Sequence, residues 1–233
     1  MPTAIGGSLP NFMQTQLTKT PEFCWMEWLE QQSDVRPALQ AFCKQYHYFS
    51  LNQVIAFSRL FSVVGPNDRN SLALLASVLF EELGLGDPKK VHSVLFERFA
   101  VACGVDLAEL PLKPSHVVSG VRSYVLELHS AFGGASLPRA LATYQFLESS
   151  AVETYGPLLL LLTRLKFSAD VLEFFSLHAT VEVEHAAAAQ KMVDRAAFSA
   201  EAKAEFDDQT ALLQRCWQEF WSDIWQAGRA ASE

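Results

Sequence analysis

Apolar residues along this chain recur at i, i+3, i+4 and i+7 in segment after segment, and strict apolar–polar alternation is rare. That spacing lines one face of an α-helix and predicts an all-α protein. Helices are expected over residues 21–33, 36–64 with a break near Ser50, 67–84, 87–103, 114–132, 137–165, 168–191 and 197–228. The joints between them, GPNDRN, GLGDP, FGGASLP and KFSAD, each supply a glycine, a proline or an Asp/Ser cap. Loops are short, with no shift in composition, no low-complexity tract and no internal repeat. One compact bundle of about seven to eight helices over residues 21–233 follows, after an N-terminal extension at 1–20.

Half of the 233 residues are apolar, enough for a sizeable core, and no run approaches the ~20 apolar residues of a membrane span. The N-terminus lacks a basic region followed by an apolar one, so a soluble, cytoplasmic protein is expected. Cys24, Cys43, Cys103 and Cys216 have no metal-knuckle or redox spacing and read as free thiols. A net charge of −8, with no basic cluster beyond Lys89-Lys90, argues against nucleic acid and for a small molecule or another protein as partner. In the last helix Phe206, Leu213, Trp217, Phe220, Trp221 and Ile224 form a stripe that reads as packing; with Trp225 it would cover the bundle or a second subunit, as in a homodimer.

One segment interrupts the apolar logic. In FFSLHATVEVEHAAAAQ, residues 174–190, His178, Glu182 and His185 share a helical face, Glu182 lying about 40° from His178 and His185 about 20° on the other side. Glu184 points away. Burying three such groups is costly unless something compensates, and a metal ion suits a mixture of imidazole and carboxylate. Taken alone, this spacing fits exposed or mutually hydrogen-bonded side chains equally well, so further ligands are needed. Glu82 continues the face of Leu75, Val78 and Leu79, whereas Glu81 follows Asn70, Leu74 and Ser77, which favours Glu82 as the inward residue. Asp87-Pro88 reads as a cap and first helical position, placing His92 in the second turn of a new helix. Glu148 shares a face with Leu141, Tyr144, Ala151 and Val152, while Glu153 lies with Ser149 and Ser150. The candidate metal ligands, which would also be the catalytic set, are therefore Glu82, His92, Glu148, His178, Glu182 and His185. His116 and His129, near loop or helix ends, are left aside.

These motifs resemble the haem-oxygenase-like diiron oxidases, also described as iron-containing redox enzymes. EELGLGDPKKVHSVLF is similar to that family's E-L-G…H-x-x-L-F motif, HATVEVEH to its H-x3-D/E-x2-H signature, and Glu148 in YQFLESS to its lone helical glutamate. The aromatic-rich ALQAFCKQYHYFSLNQVIAFSRLF is similar to its first long helices. Glu182 stands where many members have Asp, and its longer arm shifts the metal. The resemblance implies a single haem-oxygenase-like bundle and a cofactor of two ferrous ions. It also implies O2 as cosubstrate, a peroxo-diferric oxidant and an external electron donor as a further partner. It implies a small carboxylate-bearing substrate, an amino or fatty acid, undergoing C–C cleavage, N-oxygenation, desaturation or nitrile formation. Tyr144, Phe174 and Phe175 are candidate substrate-pocket residues, and Lys89, Arg122 or Arg164 candidate anchors for the carboxylate. Three other readings stay open: a metal-independent thiaminase-like hydrolase of the same fold, a non-catalytic helical binding protein, and a self-sacrificing synthase oxidising its own Tyr46, Tyr48, Tyr144 or Tyr155.

Overall fold

The computed structural model describes residues 20–134 and 136–233; the extension expected at 1–20 falls almost entirely outside the described residues. Among the described residues every regular element is helical. The helices are α1 (Pro21–Glu30), α2 (Arg36–Ser58), α3 (Leu60–Val64), α4 (Arg69–Glu82), α5 (His92–Ala102), α6 (Ser119–Phe132), α7 (Leu137–Arg164), α8 (Glu173–Arg195) and α9 (Ala200–Ser232). Three single 3₁₀ turns, Gly84–Gly86, Leu107–Glu109 and Pro114–His116, fill the longer connections. None of the helices is long and apolar enough to cross a membrane.

Caps mark several starts. Asp68 accepts a hydrogen bond from the backbone N–H of Ser71, Ser136 from Arg139 and Ser199 from Ala202, each satisfying a donor that the first helical turn leaves free. Elsewhere the boundaries differ from expectation. The break expected near Ser50 falls at Arg59, between α2 and α3. The helix expected from 87 begins at His92, because the Asp87 side chain caps a tight turn by accepting from Lys89 N at 2.9 Å. The helix expected from 168 begins at Glu173, since Ser168 O instead closes turns with the N–H groups of Val171 and Leu172. The helix expected from 114 begins at Ser119.

α8 runs along α7, while α9 crosses α6, α2, α7 and α1 and closes the bundle with the apolar stripe expected of it. Trp217, Phe220, Trp221 and Ile224 are buried within the chain. Gly120 permits a close α6–α9 approach: a Cβ there would sit 2.4 Å from the carbonyl oxygen of Glu219. Its N–H donates to Asp223 at 2.7 Å. The centre of the bundle is aromatic. Phe42 lies 5.0 Å from Trp25, 5.0 Å from Tyr46 and 6.0 Å from both Phe96 and Trp221, ring centre to ring centre. Such edge and offset contacts add to the large area each ring buries.

Candidate metal centre

The polar centre lies beside this aromatic cluster, where α4, α5, α7 and α8 meet. Glu82 is the last residue of α4, and the chain turns back immediately. Gly84 makes that reversal: its φ is +71°, and a Cβ would stand 2.5 Å from the carbonyl carbon of Lys90. The close approach brings His92, the first residue of α5, to Glu82, with Nδ1 3.0 Å from Oε2. The expectation that His92 lies in the second turn of its helix is thus corrected; packing against Gly84 delivers it.

Helical phase delivers the others. Glu82, His92, Glu148, His178, Glu182 and His185 are all buried, whereas Glu153 and Glu184 are exposed and Glu81 is partly so. Their ligand atoms fall into two groups, each within 4.8 Å: Glu82, His92 and His178, then Glu82, Glu182 and His185. Glu82 belongs to both. Glu148 adds an oxygen 3.7 Å from His185 Nδ1, and Glu182 one at 3.4 Å from the same nitrogen.

The electrostatics separate the histidines. Burial holds His178 down to about 4, and its Nδ1–H donates to the Phe174 carbonyl at 2.7 Å, so the Nε2 lone pair is left facing Glu182 at 3.7 Å. Burial also pulls against charge on His185, but Glu148 and Glu182 outweigh it and push the imidazolium up to about 11. Burial opposes ionisation of Glu82, yet His92, His178 and His185 hold its carboxyl below the usual range. Glu182, buried and next to Glu148, is pushed well above it.

The residues fit a cation on an observation of their own. His92 Nδ1, His185 Nδ1 and Glu182 Oε2 are fully buried and have no aligned hydrogen-bond partner, although each lies near a complementary group. Buried atoms that crowd complementary groups without hydrogen-bond geometry are arranged as ligands are, and imidazole with carboxylate suits iron, manganese or zinc.

A narrow cavity of about 10 Å³, room for one water, opens beside Glu148 and Glu182. Tyr46, Phe49, Gln53, Thr154, Tyr155 and Trp217 line it. The candidate pocket residues Tyr144, Phe174 and Phe175 do not: all three pack as core, Tyr144 against Phe57 and Phe174 against Phe96, Tyr155 and His178. The candidate anchors lie elsewhere too. Arg164 pairs with Glu30, Arg122 donates to the Pro114 carbonyl, and Lys89 is exposed. Sequence reasoning missed the wall from α2, although Tyr46, Phe49 and Gln53 recur at i, i+3 and i+7 and so share a face. Tyr46 and Tyr155 join hydroxyls at 2.6 Å. His47, also buried, pairs with Glu97 away from the centre.

Solved structures share this architecture. A domain with a haem-oxygenase-like fold from Shewanella denitrificans superposes with a TM-score of 0.73 at 12% identity, over 92% of this chain and 88% of its own. A TenA homologue from Pseudomonas syringae pv. tomato gives 0.73 at 11% identity over 93% and 90%. A CADD-like protein of unknown function from Nostoc punctiforme gives 0.70 at 19% over 93% and 96%. Those likenesses define the class, a haem-oxygenase-like helical bundle. Residues 40–219 match the iron-containing redox enzyme family, and the chain belongs to it. No curated protein matches the sequence.

Proposed function

We propose that this protein is an O2-dependent non-haem diiron oxidase acting on a small carboxylate-bearing substrate. The observation that carries the reading is the sharing of Glu82 between two buried ligand groups, the arrangement expected of a carboxylate that serves two ions in a helical bundle. Glu82, His92 and His178 would hold one iron; Glu82, Glu182 and His185, with Glu148, the other. Two ferrous ions bound there would supply the electrons that activate O2.

The protein's own contributions follow from position. Phe174 O orients His178, and the ring of Tyr155, 4.5 Å from that imidazole, covers it. Phe49, Leu147 and Trp217 supply the apolar part of the cavity wall. Among the described residues no lysine or arginine lines the cavity. Two divalent cations outweigh three carboxylates, so an anionic head group would be drawn to the centre without one. At about 10 Å³ the cavity must widen to admit any substrate.

A thiaminase-like hydrolysis draws no support from the thiols: none of Cys24, Cys43, Cys103 and Cys216 lines the cavity, and burial pushes the Cys43 thiol well up, away from nucleophilic thiolate. The self-sacrificing reading is favoured by one observation, the Tyr46–Tyr155 pair on the cavity wall.

The test is anaerobic titration with Fe(II), expected to reach close to two ions per chain, then exposure to O2 with a panel of amino and fatty acids. Uptake of no iron sinks the proposal. Mass spectrometry after one turnover separates the two redox readings, because a catalyst emerges with Tyr46 and Tyr155 unmodified.

A further inference from the structure

Glu81 has no place among the six candidate ligands, yet it touches the centre. It precedes Glu82 on the last turn of α4, and one residue of helix turns its side chain by about 100°. Glu82 therefore points inward, while Glu81, one third exposed, reaches His185 on α8. Its Oε2 lies 3.0 Å from His185 Nε2 and accepts the hydrogen on that nitrogen.

His185 is unusual in having carboxylates at both nitrogens: Glu81 at Nε2, and Glu148 and Glu182 at Nδ1. Without a cation both nitrogens of His185 carry hydrogens; a cation would take the place of one, and what accepts the other decides which nitrogen keeps its hydrogen and which offers its lone pair. A hydrogen on Nδ1 would aim a donor into the centre and close that position to a cation. His185 Nδ1 is fully buried without an aligned partner, as a ligand atom requires. His178 reaches the same result by another route, its Nδ1–H held by the Phe174 carbonyl.

We infer that Glu81 is a positioning residue: it holds the hydrogen of His185 on Nε2 and so keeps the Nδ1 lone pair directed at the metal beside Glu182 and Glu148. The inference rests on the diiron reading. Because the Glu81 side chain is partly exposed and fills no core space, its truncation leaves the fold intact.

The test uses the full chain loaded with Zn(II), a redox-inert probe, and compares wild type with Glu81→Ala and Glu81→Gln. Chelator competition should show one of two zinc sites losing about 10- to 100-fold in Glu81→Ala while the other is unchanged. Glu81→Gln, whose amide oxygen still accepts the hydrogen, should lose only a small part of that. Nitrogen-15 spectra of labelled histidine in the zinc-loaded wild type should show His185 bound through Nδ1 with a downfield Nε2–H, a signal absent in Glu81→Ala. Unchanged affinity and spectrum in Glu81→Ala overturn the inference, as does coordination of His185 through Nε2 in wild type. A wild-type chain that takes up neither zinc nor iron overturns the diiron reading and this one together. Two zincs held equally by wild type and Glu81→Ala overturn this one alone.

Discussion

Phe42 and Glu82 are both buried in the same bundle, and the groups around them are left incomplete in different ways. Around Phe42 the rings of Trp25, Tyr46, Phe96 and Trp221 fill space, and the polar atoms stranded there, Trp25 Nε1 and Trp221 Nε1, are single neutral donors amid aromatic rings. An indole N–H facing a π system loses little. Around Glu82 the stranded atoms are His92 Nδ1, His185 Nδ1 and Glu182 Oε2, all atoms that can ligate a cation, and two of the surrounding groups, Glu148 and Glu182, are carboxyls like Glu82 itself. Stranded ligand atoms that converge call for a cation, whereas scattered indole donors do not. Burial is common to both regions; the kind of incompleteness separates structure from function.

The comparison can be broken at either region. Phe42→Ala should have the largest effect, a loss of about 3–5 kcal/mol in denaturant unfolding, because it opens a hole among four rings. Metal stoichiometry of the folded fraction should stay at the wild-type value; a loss of metal there would mean the two regions are not separate. Glu82→Ala should weaken both ions, on the order of 100-fold each, measured by chelator competition. Loss of one ion only would show that Glu82 serves a single half.

Glu182→Gln sharpens the contrast, because it should move stability and function in opposite directions. Removing an acid whose ionisation burial and Glu148 oppose should stabilise the metal-free protein by about 1–3 kcal/mol at pH 7. The same change should weaken metal binding by roughly tenfold. Destabilisation of the metal-free chain would count against a strained, ligand-ready centre.

The smallest effect belongs to Glu22, buried on α1, where desolvation raises the carboxyl above its usual 4.5 despite bonds from its own backbone, Thr20 and Trp217. A raised folded value means the protonated acid suits the fold. Its stability contribution is fully present below pH 4.5 and is lost as pH rises through the folded value. Glu22→Gln should therefore raise the melting midpoint at pH 7, by at most about 1 kcal/mol in stability, and the gain should vanish toward pH 4. A gain that persists at pH 4 would assign the effect to packing instead.

Much of the fold is legible in the sequence because amphipathic helices write their buried face at a fixed period, and the strongest joints carry local caps such as Asp68 and Ser136. The illegible parts are those where a local signal has two uses. Asp87-Pro88 looks like a helix start, yet the same side chain caps a turn, and only the contact of Gly84 with Lys90 selects the turn. Aromatic residues behave alike. Phe174 and Phe175 look as suited to a pocket as Phe49 and Trp217, and nothing local says which will face the cavity.

By itself the sequence determined which side chains point inward: Glu82 rather than Glu81, Glu148 rather than Glu153, and His178, Glu182 and His185 rather than Glu184. Phase along a single helix suffices for that. Only the tertiary structure decided which inward atoms meet. It placed Glu82 in both ligand groups, put the Tyr46–Tyr155 pair on the cavity wall and turned Glu81 to the far nitrogen of His185. Those distances depend on how four helices pack and how one glycine turn closes, and the periodicity of one segment carries no record of its neighbours.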